Sequence, residues 1–249
     1  YETFLQFKRE IIQLRILGKR RIVMKIVSYN IAKCVQTKID HVLRMNADLY
    51  ILPECAASKS IVLPKGYTMF WTGDDDIPQK GLGVIWKDEL SVHIINGHRK
   101  IKHHLPLIVD NDGYSKFILA CWPTAWQESK TYPQLLLEAL HEYSHYFDKM
   151  PSLAIGDFNC YVGQSGVKKK TGTFEDCIKE FEAHGMKSAY HTHNKEEFGK
   201  ENEATFFWRY NEHSPYFLDY AFSNVEIHSY EIGQWEKEIS DHRPQIIEL

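Results

Sequence analysis

Polar side chains interrupt the apolar runs of this chain at points where they could act together. Asp157 and Asn159 lie two residues apart in the string Gly-Asp-Phe-Asn, so in an extended chain both point to the same side. Asp241 and His242 are adjacent just before the last apolar run, and Asp219 falls inside another. Carboxylates, amides and a histidine can bind a cation, orient water and move protons. The pattern indicates metal-assisted or acid–base chemistry.

Two earlier apolar runs end in the same kinds of groups. Ser28-Tyr29-Asn30 closes the first run after Met24, and Leu49-Tyr-Ile-Leu-Pro-Glu54 closes the second on a carboxylate. Taken singly, such residues are more often turn or capping residues. Together the five segments supply three carboxylates, two amides and an Asp–His pair at predicted strand ends.

The elements that must position these groups are mostly strands. Short apolar runs rich in β-branched and aromatic residues favour strands. Helical periodicity marks Thr37–Met45, Pro133–Lys149 and Thr173–His184. Many strands with few interspersed helices predict a large mixed-sheet α/β domain. The predicted strands are Ile26–Ile31, Ala47–Leu52, Leu82–Trp86, Val92–Ile95, Phe117–Trp122, Leu153–Ile155, Thr205–Trp208, Leu218–Phe222, Val225–Tyr230 and Gln245–Leu249.

Charge divides the chain into two parts. Residues 1–23 carry six basic and two acidic residues, a balance of +4, which leaves 24 basic and 31 acidic residues in 24–249. We predict that 1–23 is a peripheral basic extension preceding a natural start at Met24, and that 24–249 is the catalytic domain. The alternative for 1–23 is a basic amphipathic arm that touches a membrane or a partner. The acidic body argues against strong non-specific nucleic-acid binding.

Cysteine usage and hydropathy suggest the compartment. The five cysteines are scattered, odd in number and never spaced as C-x-x-C, which predicts reduced thiols and a cytoplasmic protein. No apolar run approaches the length needed to cross a bilayer, so no membrane association of the body is expected.

The five segments, in this order, resemble the endonuclease/exonuclease/phosphatase superfamily. This fold is shared by exonuclease III-like and deoxyribonuclease-I-like nucleases, sphingomyelinases and inositol polyphosphate phosphatases. The resemblance runs from Met24 to Leu249, and Gly-Asp-Phe-Asn and Ser-Asp-His-x-Pro are its most specific motifs. It implies a four-layer α/β/β/α sandwich of two packed mixed sheets flanked by helices, with the site at one edge.

The resemblance also implies a metal site. Glu54 matches the main metal-binding carboxylate, Asn30 the amide that helps position it, and Asp241 a further acid of the metal site. An all-oxygen ligand set suits a hard ion, Mg²⁺ or Mn²⁺, better than zinc.

Catalytic and substrate-binding roles follow in the same way. Asp157 matches the residue that orients or deprotonates the attacking water, and Asn159 the amide that holds the phosphate. His242 matches the histidine that faces the phosphate, and Asp219 its orienting partner. Trp122 stands where many members carry a histidine and is assigned to substrate binding. We expect Asp157 and His242 to lie at a rim, outside the packed core.

These assignments imply a Mg²⁺- or Mn²⁺-dependent phosphoesterase that hydrolyses a phosphodiester by in-line water attack. A nuclease or nucleotide-type phosphodiesterase is favoured, with a phosphate ester, nucleic acid included, as substrate and no obligate protein partner. A phosphomonoesterase or phospholipid-headgroup phosphatase on the same site is the alternative.

A competing motif points to a different class of enzyme. His141-Glu142-Tyr-Ser-His145 matches H-E-x-x-H, the zinc metalloprotease signature, on a predicted helix. The apolar stripe of that helix, however, places both histidines on its polar side. The protease reading is therefore the weaker hypothesis.

Overall fold

The computed structural model describes residues 23–33, 35–95, 101, 103–124, 130–164 and 172–249. Apart from Val23, the predicted extension 1–23 lies outside the described residues and remains a prediction. Four of the five cysteines are described, and all four are buried thiols that form no disulfide. No described helix is both long and apolar enough to cross a membrane.

Strands dominate the described chain, as the sequence predicted. Each of the ten predicted runs overlaps an observed strand, although the run 225–230 forms a strand only from Ser229 onward. In chain order, β1 to β14 are Lys25–Ser28, Leu49–Cys55, Tyr67–Gly73, Gly81–Lys87, Ser91–Ile94, His104–Asn111, Tyr114–Cys121, Ser152–Asp157, Lys187–Ser188, Phe206–Phe207, Pro215–Tyr216, Asp219–Ser223, Ser229–Ile232 and Gln245–Glu248.

The strands form two six-stranded sheets and one small hairpin. The first sheet has the order β13-β14-β1-β2-β4-β3, and the second β5-β6-β7-β8-β12-β9, with β10 and β11 paired apart. Both sheets are mixed, because β1 runs parallel to β2 and β7 runs parallel to β8 among antiparallel neighbours. Strands β1 and β2 face β8 across the interface between the sheets.

Four helices, α1 to α4, are described at Gln36–Leu43, Tyr132–Phe147, Phe174–Ala183 and Ala189–Asn194. The first three agree with the predicted helices to within about two residues at either end. The start of α3 is fixed by a capping box, in which Thr173 and Asp176 satisfy each other's backbone N–H groups.

Alternating burial produces the layers. In β1, Ile26 belongs to the core between the sheets, whereas Val27 faces the other side and packs beneath Ile39 and Val42 of α1. Helices α2 and α3 cover the second sheet with apolar stripes that include the buried residue Phe181. The predicted sandwich of two packed mixed sheets with flanking helices is confirmed.

An ion pair joins the end of α3 to the loop after α2. The His184 ring donates to Asp148 over 2.7 Å, which raises the pKa of His184 although partial burial acts against it. A histidine with a raised pKa stabilises the fold fully below its unfolded pKa, and this contribution is lost as the pH rises through the folded value. His184→Gln should therefore lower the free energy of unfolding by up to about 1 kcal/mol at pH 5.5 and by much less at pH 9. Urea denaturation at both pH values tests this, with His193→Gln, at an exposed position, as the control. An equal loss at both pH values would contradict the prediction.

Candidate active site

The carboxylate of Asp157 lies at the centre of the site. Strand β8 ends at Asp157, directly opposite Asp219 of β12. Asn30, just beyond β1, donates its amide to Asp157 over 2.9 Å. Asn159 donates its backbone N–H over 2.9 Å and its side-chain amide over 3.1 Å to the same carboxylate. The two predicted amides thus converge on Asp157 from both sheets.

Close packing of two parallel strands explains the glycine that precedes Asp157. Gly156 has φ +152°, and a Cβ atom there would lie 1.9 Å from the carbonyl oxygen of Cys121 on β7. Only glycine fits at this point, so the Gly-Asp pair is required by packing as well as by chemistry.

Replacing Gly156 with alanine should destabilise the protein by about 3 kcal/mol or more, because the backbone of β7 would have to move. The matched control is Gly113→Ala, at φ +85° with nothing within 4 Å of the added atom, which should cost only about 1 kcal/mol. Thermal melts of both variants provide the measurement. Equal losses would show that the contact with Cys121 is unimportant.

Asn159 is held in a conformation that asparagine tolerates better than most residues. Its φ is +53°, and its side-chain amide also donates to the carbonyl oxygen of Pro123 over 3.1 Å. These contacts fix its carboxamide beside Asp157. Backbone strain of this kind is concentrated at functional sites.

His242 and Asp219 form a buried pair. The Nδ1 atom of His242 lies 2.8 Å from Oδ2 of Asp219, and its Nε2 atom lies 3.9 Å from Oδ2 of Asp157. Ser240 orients this segment, since its hydroxyl donates to the carbonyl oxygen of Asn30 over 2.6 Å and accepts from the His242 N–H over 3.0 Å. The pair is therefore tied to the end of β1.

Asp157 and His242 are buried, which corrects the expectation of a rim. Their exposed fractions are 1% and 4%, and that of Asp219 is 0%. Burial raises the pKa of Asp157. Burial alone would lower the pKa of His242, but the negative charges of Asp219 and Asp157 overcome it and raise that pKa. The imidazolium is therefore the favoured form of His242 at neutral pH.

Glu54 and Asp241 form the outer part of the site. Glu54 lies at a β-bulge between Pro53 and Cys55 and has φ +56°, which takes its side chain out of the strand register. Burial raises the pKa of Asp241 against the lowering effect of His242, and the negative charge of Glu54 adds to the rise. Two carboxylates are oxygen donors of the kind that a hard divalent cation prefers.

Asp157, Asp219 and His242 are also a group that could hold a metal ion. Their potential ligand atoms all lie within 4.8 Å of one another, and one oxygen of Asp219 is buried with no hydrogen-bond partner in the described structure. The Nδ1 atom of His242, however, is already engaged by Asp219. The carboxylates of Asp157 and Asp219 therefore remain as oxygen donors for a divalent ion, and the half-buried Glu54 and Asp241 are more accessible than either.

Trp122 lies beside the site without being open to solvent. Its exposed fraction is 2%, and the ammonium of Lys80 lies 5.6 Å from its ring centroid. Lys80 also pairs with Glu54. The assignment of Trp122 to substrate binding stays a prediction.

Two tyrosines near the site were missed by the sequence analysis. The pKa of Tyr132, at the start of α2, is raised by burial and then by the charge of Asp157. The pKa of Tyr210 is raised by burial and then by the charge of Asp241. No local motif marks either residue, since both come close only through the fold.

The H-E-x-x-H motif lies on α2, away from this site. His141 is 64% exposed, and His145 is exposed and lies 3.0 Å from the carbonyl oxygen of Glu142. Among the described residues, only Asp157, Asp219 and His242 form a group of three histidine, cysteine or acidic side chains close enough to share a metal ion. The motif therefore has no third zinc ligand in the part of the chain that the structure describes.

Comparison with known proteins gives structural matches only. No family model matches the sequence, and no curated protein matches it. The endonuclease domain of TRAS1, a telomere-specific non-LTR retrotransposon, is 12% identical with a TM-score of 0.63, over 91% of this chain and 98% of that one. The AP endonuclease LMAP from Leishmania major is 10% identical with a TM-score of 0.66, over 91% and 87%.

A third solved structure carries the superfamily's own name. The endonuclease/exonuclease/phosphatase from Beutenbergia cavernae is 13% identical with a TM-score of 0.59, over 92% of this chain and 71% of that one. The motifs, their convergence and these matches agree. The chain has the fold of the endonuclease/exonuclease/phosphatase superfamily.

Proposed function

We propose that this protein is a divalent-metal-dependent phosphoesterase that hydrolyses a phosphodiester, with Mg²⁺ or Mn²⁺ as cofactor. The observation that carries the proposal is the convergence of five residues. The amides of Asn30 and Asn159 donate to Asp157, and the ring of His242 is paired with Asp219. These groups lie far apart along the chain, and no structural need of a sandwich fold brings a buried acid, two amides and an Asp–His pair together.

Each group has a chemical task. Asp157, held by two amides, would orient and deprotonate a water molecule. His242, kept protonated by Asp219, would donate a proton or hydrogen bond to the phosphate oxygens. The carboxamide of Asn159 already donates to Asp157 and Pro123, so it would exchange one of these hydrogen bonds for a phosphate oxygen when substrate binds. A divalent ion held by Glu54, Asp241 and Asn30 would supply positive charge to stabilise the developing negative charge.

The surroundings of His242 favour a substrate that carries a nucleobase. Phe206 forms a β-bridge with His242, and its hairpin carries two large exposed rings, Trp208 at 53% and Tyr216 at 40%. The guanidinium of Arg209 lies 5.7 Å from the Trp208 ring centroid. Exposed aromatic rings beside a phosphate site are suited to stacking bases. Two of the structural matches are named endonucleases, which agrees with this choice.

A substrate panel with metal titration tests the proposal. Single-stranded DNA, abasic duplex, RNA, bis-nitrophenyl phosphate and inositol phosphates would each be incubated with Mg²⁺, with Mn²⁺ or with EDTA. We expect hydrolysis of a phosphodiester that depends on the added metal. Turnover confined to inositol phosphates would favour the phosphomonoesterase or headgroup phosphatase instead, and zinc-dependent peptide hydrolysis would favour the protease. No turnover of any substrate would contradict an enzymatic role.

A further inference from the structure

We infer that Lys80 is a resident cation of the site that competes with the divalent ion for Glu54 and contacts the substrate phosphate once the ion has displaced it. The inference deepens the proposed function and rests on it. It assigns a phosphate-binding role, in competition with the metal ion, to a residue that no motif marks.

Direct contact is the first support. The ammonium of Lys80 lies 3.2 Å from Oε1 of Glu54, the carboxylate assigned to the metal. Both side chains are largely shielded, with exposed fractions of 18% and 22%. An ammonium at this distance occupies one of the two carboxylate oxygens, and its charge opposes the binding of a second cation to the same carboxylate. Metal binding at Glu54 must therefore break or weaken this ion pair.

The fold holds Lys80 in this place. Lys80 immediately precedes Gly81, and Gly81 lies opposite Cys55 in the register of β4 with β2. The lysine therefore lies across from the end of the bulge that carries Glu54. The loop before it is tied back by a hydrogen bond from the N–H of Ala57 to the carbonyl oxygen of Pro78. The register of β4 with β2 thus fixes the position of the Lys80 backbone relative to the bulge that carries Glu54.

The ring of Trp122 keeps the displaced ammonium beside Glu54. The Lys80 ammonium lies 5.6 Å from the Trp122 ring centroid, within the range of a cation–π interaction. Once a divalent ion takes Glu54, the ammonium stays over the Trp122 ring while its contact with the Glu54 carboxylate is weakened. A phosphate oxygen of the substrate is the anion that can replace it. The same lysine would then disfavour metal in the empty site and bind phosphate in the loaded one.

Mn²⁺ and inorganic phosphate titrations test the inference. Mn²⁺ is added to the metal-free protein, and the concentration of unbound Mn²⁺ is measured by electron paramagnetic resonance. Lys80→Met should bind Mn²⁺ roughly fivefold more tightly than the wild-type protein. Inorganic phosphate should bind the Mn²⁺-loaded variant roughly fivefold more weakly. Lys80→Arg, which keeps the charge, should stay close to wild type in Mn²⁺ affinity.

The matched control lies at the other end of the same strand. Lys87 pairs with Asp48 over 2.9 Å with a similar exposure, so Lys87→Met removes a comparable ion pair away from the site and should change neither affinity. Unchanged or weaker Mn²⁺ binding by Lys80→Met would overturn the competition, and unchanged phosphate affinity would overturn the phosphate contact. Absence of Mn²⁺ binding by the wild-type protein itself would instead overturn the proposed metal dependence and this inference with it.

Discussion

Replacing Asp157 with asparagine should lower kcat for the phosphodiester by about 10³- to 10⁴-fold while the protein remains folded. The substitution keeps the shape of the side chain but removes the charge and the ability to accept a proton. In the wild-type protein the amides of Asn30 and Asn159 donate to this carboxylate. The substitution turns an NH₂ group, which cannot accept these hydrogen bonds, toward them. A water molecule at this position would lose both its orientation and its base.

The stability of this variant separates chemistry from folding. Asp157 is buried and burial raises its pKa, so its charge costs folding free energy at neutral pH, and the neutral amide removes that cost. The lost hydrogen-bond geometry acts in the opposite direction. We therefore expect a melting temperature within about 5 °C of wild type. Asp48→Asn, just before β2, is the control and should keep kcat within about twofold. Activity near wild type in Asp157→Asn would remove the assigned mechanism.

The fold, and most of the residues that meet at the candidate site, could be predicted from the sequence because they leave a local pattern in it. The groups that converge on Asp157 come from strand ends, where the chain must leave the core and polar side chains are otherwise unexpected. Such positions are visible in a linear pattern, because a carboxylate that closes an apolar run breaks a strong local rule. The helices were equally visible, since the apolar stripe of α2 has a clear 3.6-residue period.

Other parts of the molecule carry no such signal. Strand β6 was missed because His104 and Pro106 interrupt its apolar pattern, although His104 is fully buried. Strand β3 was missed because it lies at the edge of its sheet and is only partly buried. Tyr132 and Lys80 belong to a helix start and a loop of ordinary composition. Their place beside the acids is set by packing between elements, which a single sequence does not encode locally.

The burial of the Asp–His pair was also beyond the reach of motif reasoning. A motif fixes the order of residues but not the depth at which they lie. Asp219 and Asp157 face each other across β12 and β8, so the pair sits in the seam where the second sheet meets the end of the first. A substitution in a buried catalytic pair changes both kcat and the free energy of unfolding. A single substitution therefore cannot separate the two effects, whereas a double substitution can.

Replacing His242 with alanine should therefore have two large effects. We expect kcat to fall by about 10³-fold or more, because the donor that faces the phosphate is lost. We also expect the free energy of unfolding to fall by about 3 to 5 kcal/mol, because the carboxylate of Asp219 would remain fully buried without its cationic partner. Steady-state kinetics and urea denaturation measure the two effects separately.

Combining His242→Ala with Asp219→Asn distinguishes the two roles. Neutralising Asp219 removes the unpaired buried charge, so the double variant should be about 1 to 3 kcal/mol more stable than His242→Ala alone. Its kcat should stay as low as that of the single variant, since neither substitution restores a proton donor. A pair that served only to hold β12 against the segment 240–244 would show the opposite relation, with activity returning as stability returns. Recovery of kcat together with stability would thus show that His242 does not act on the phosphate.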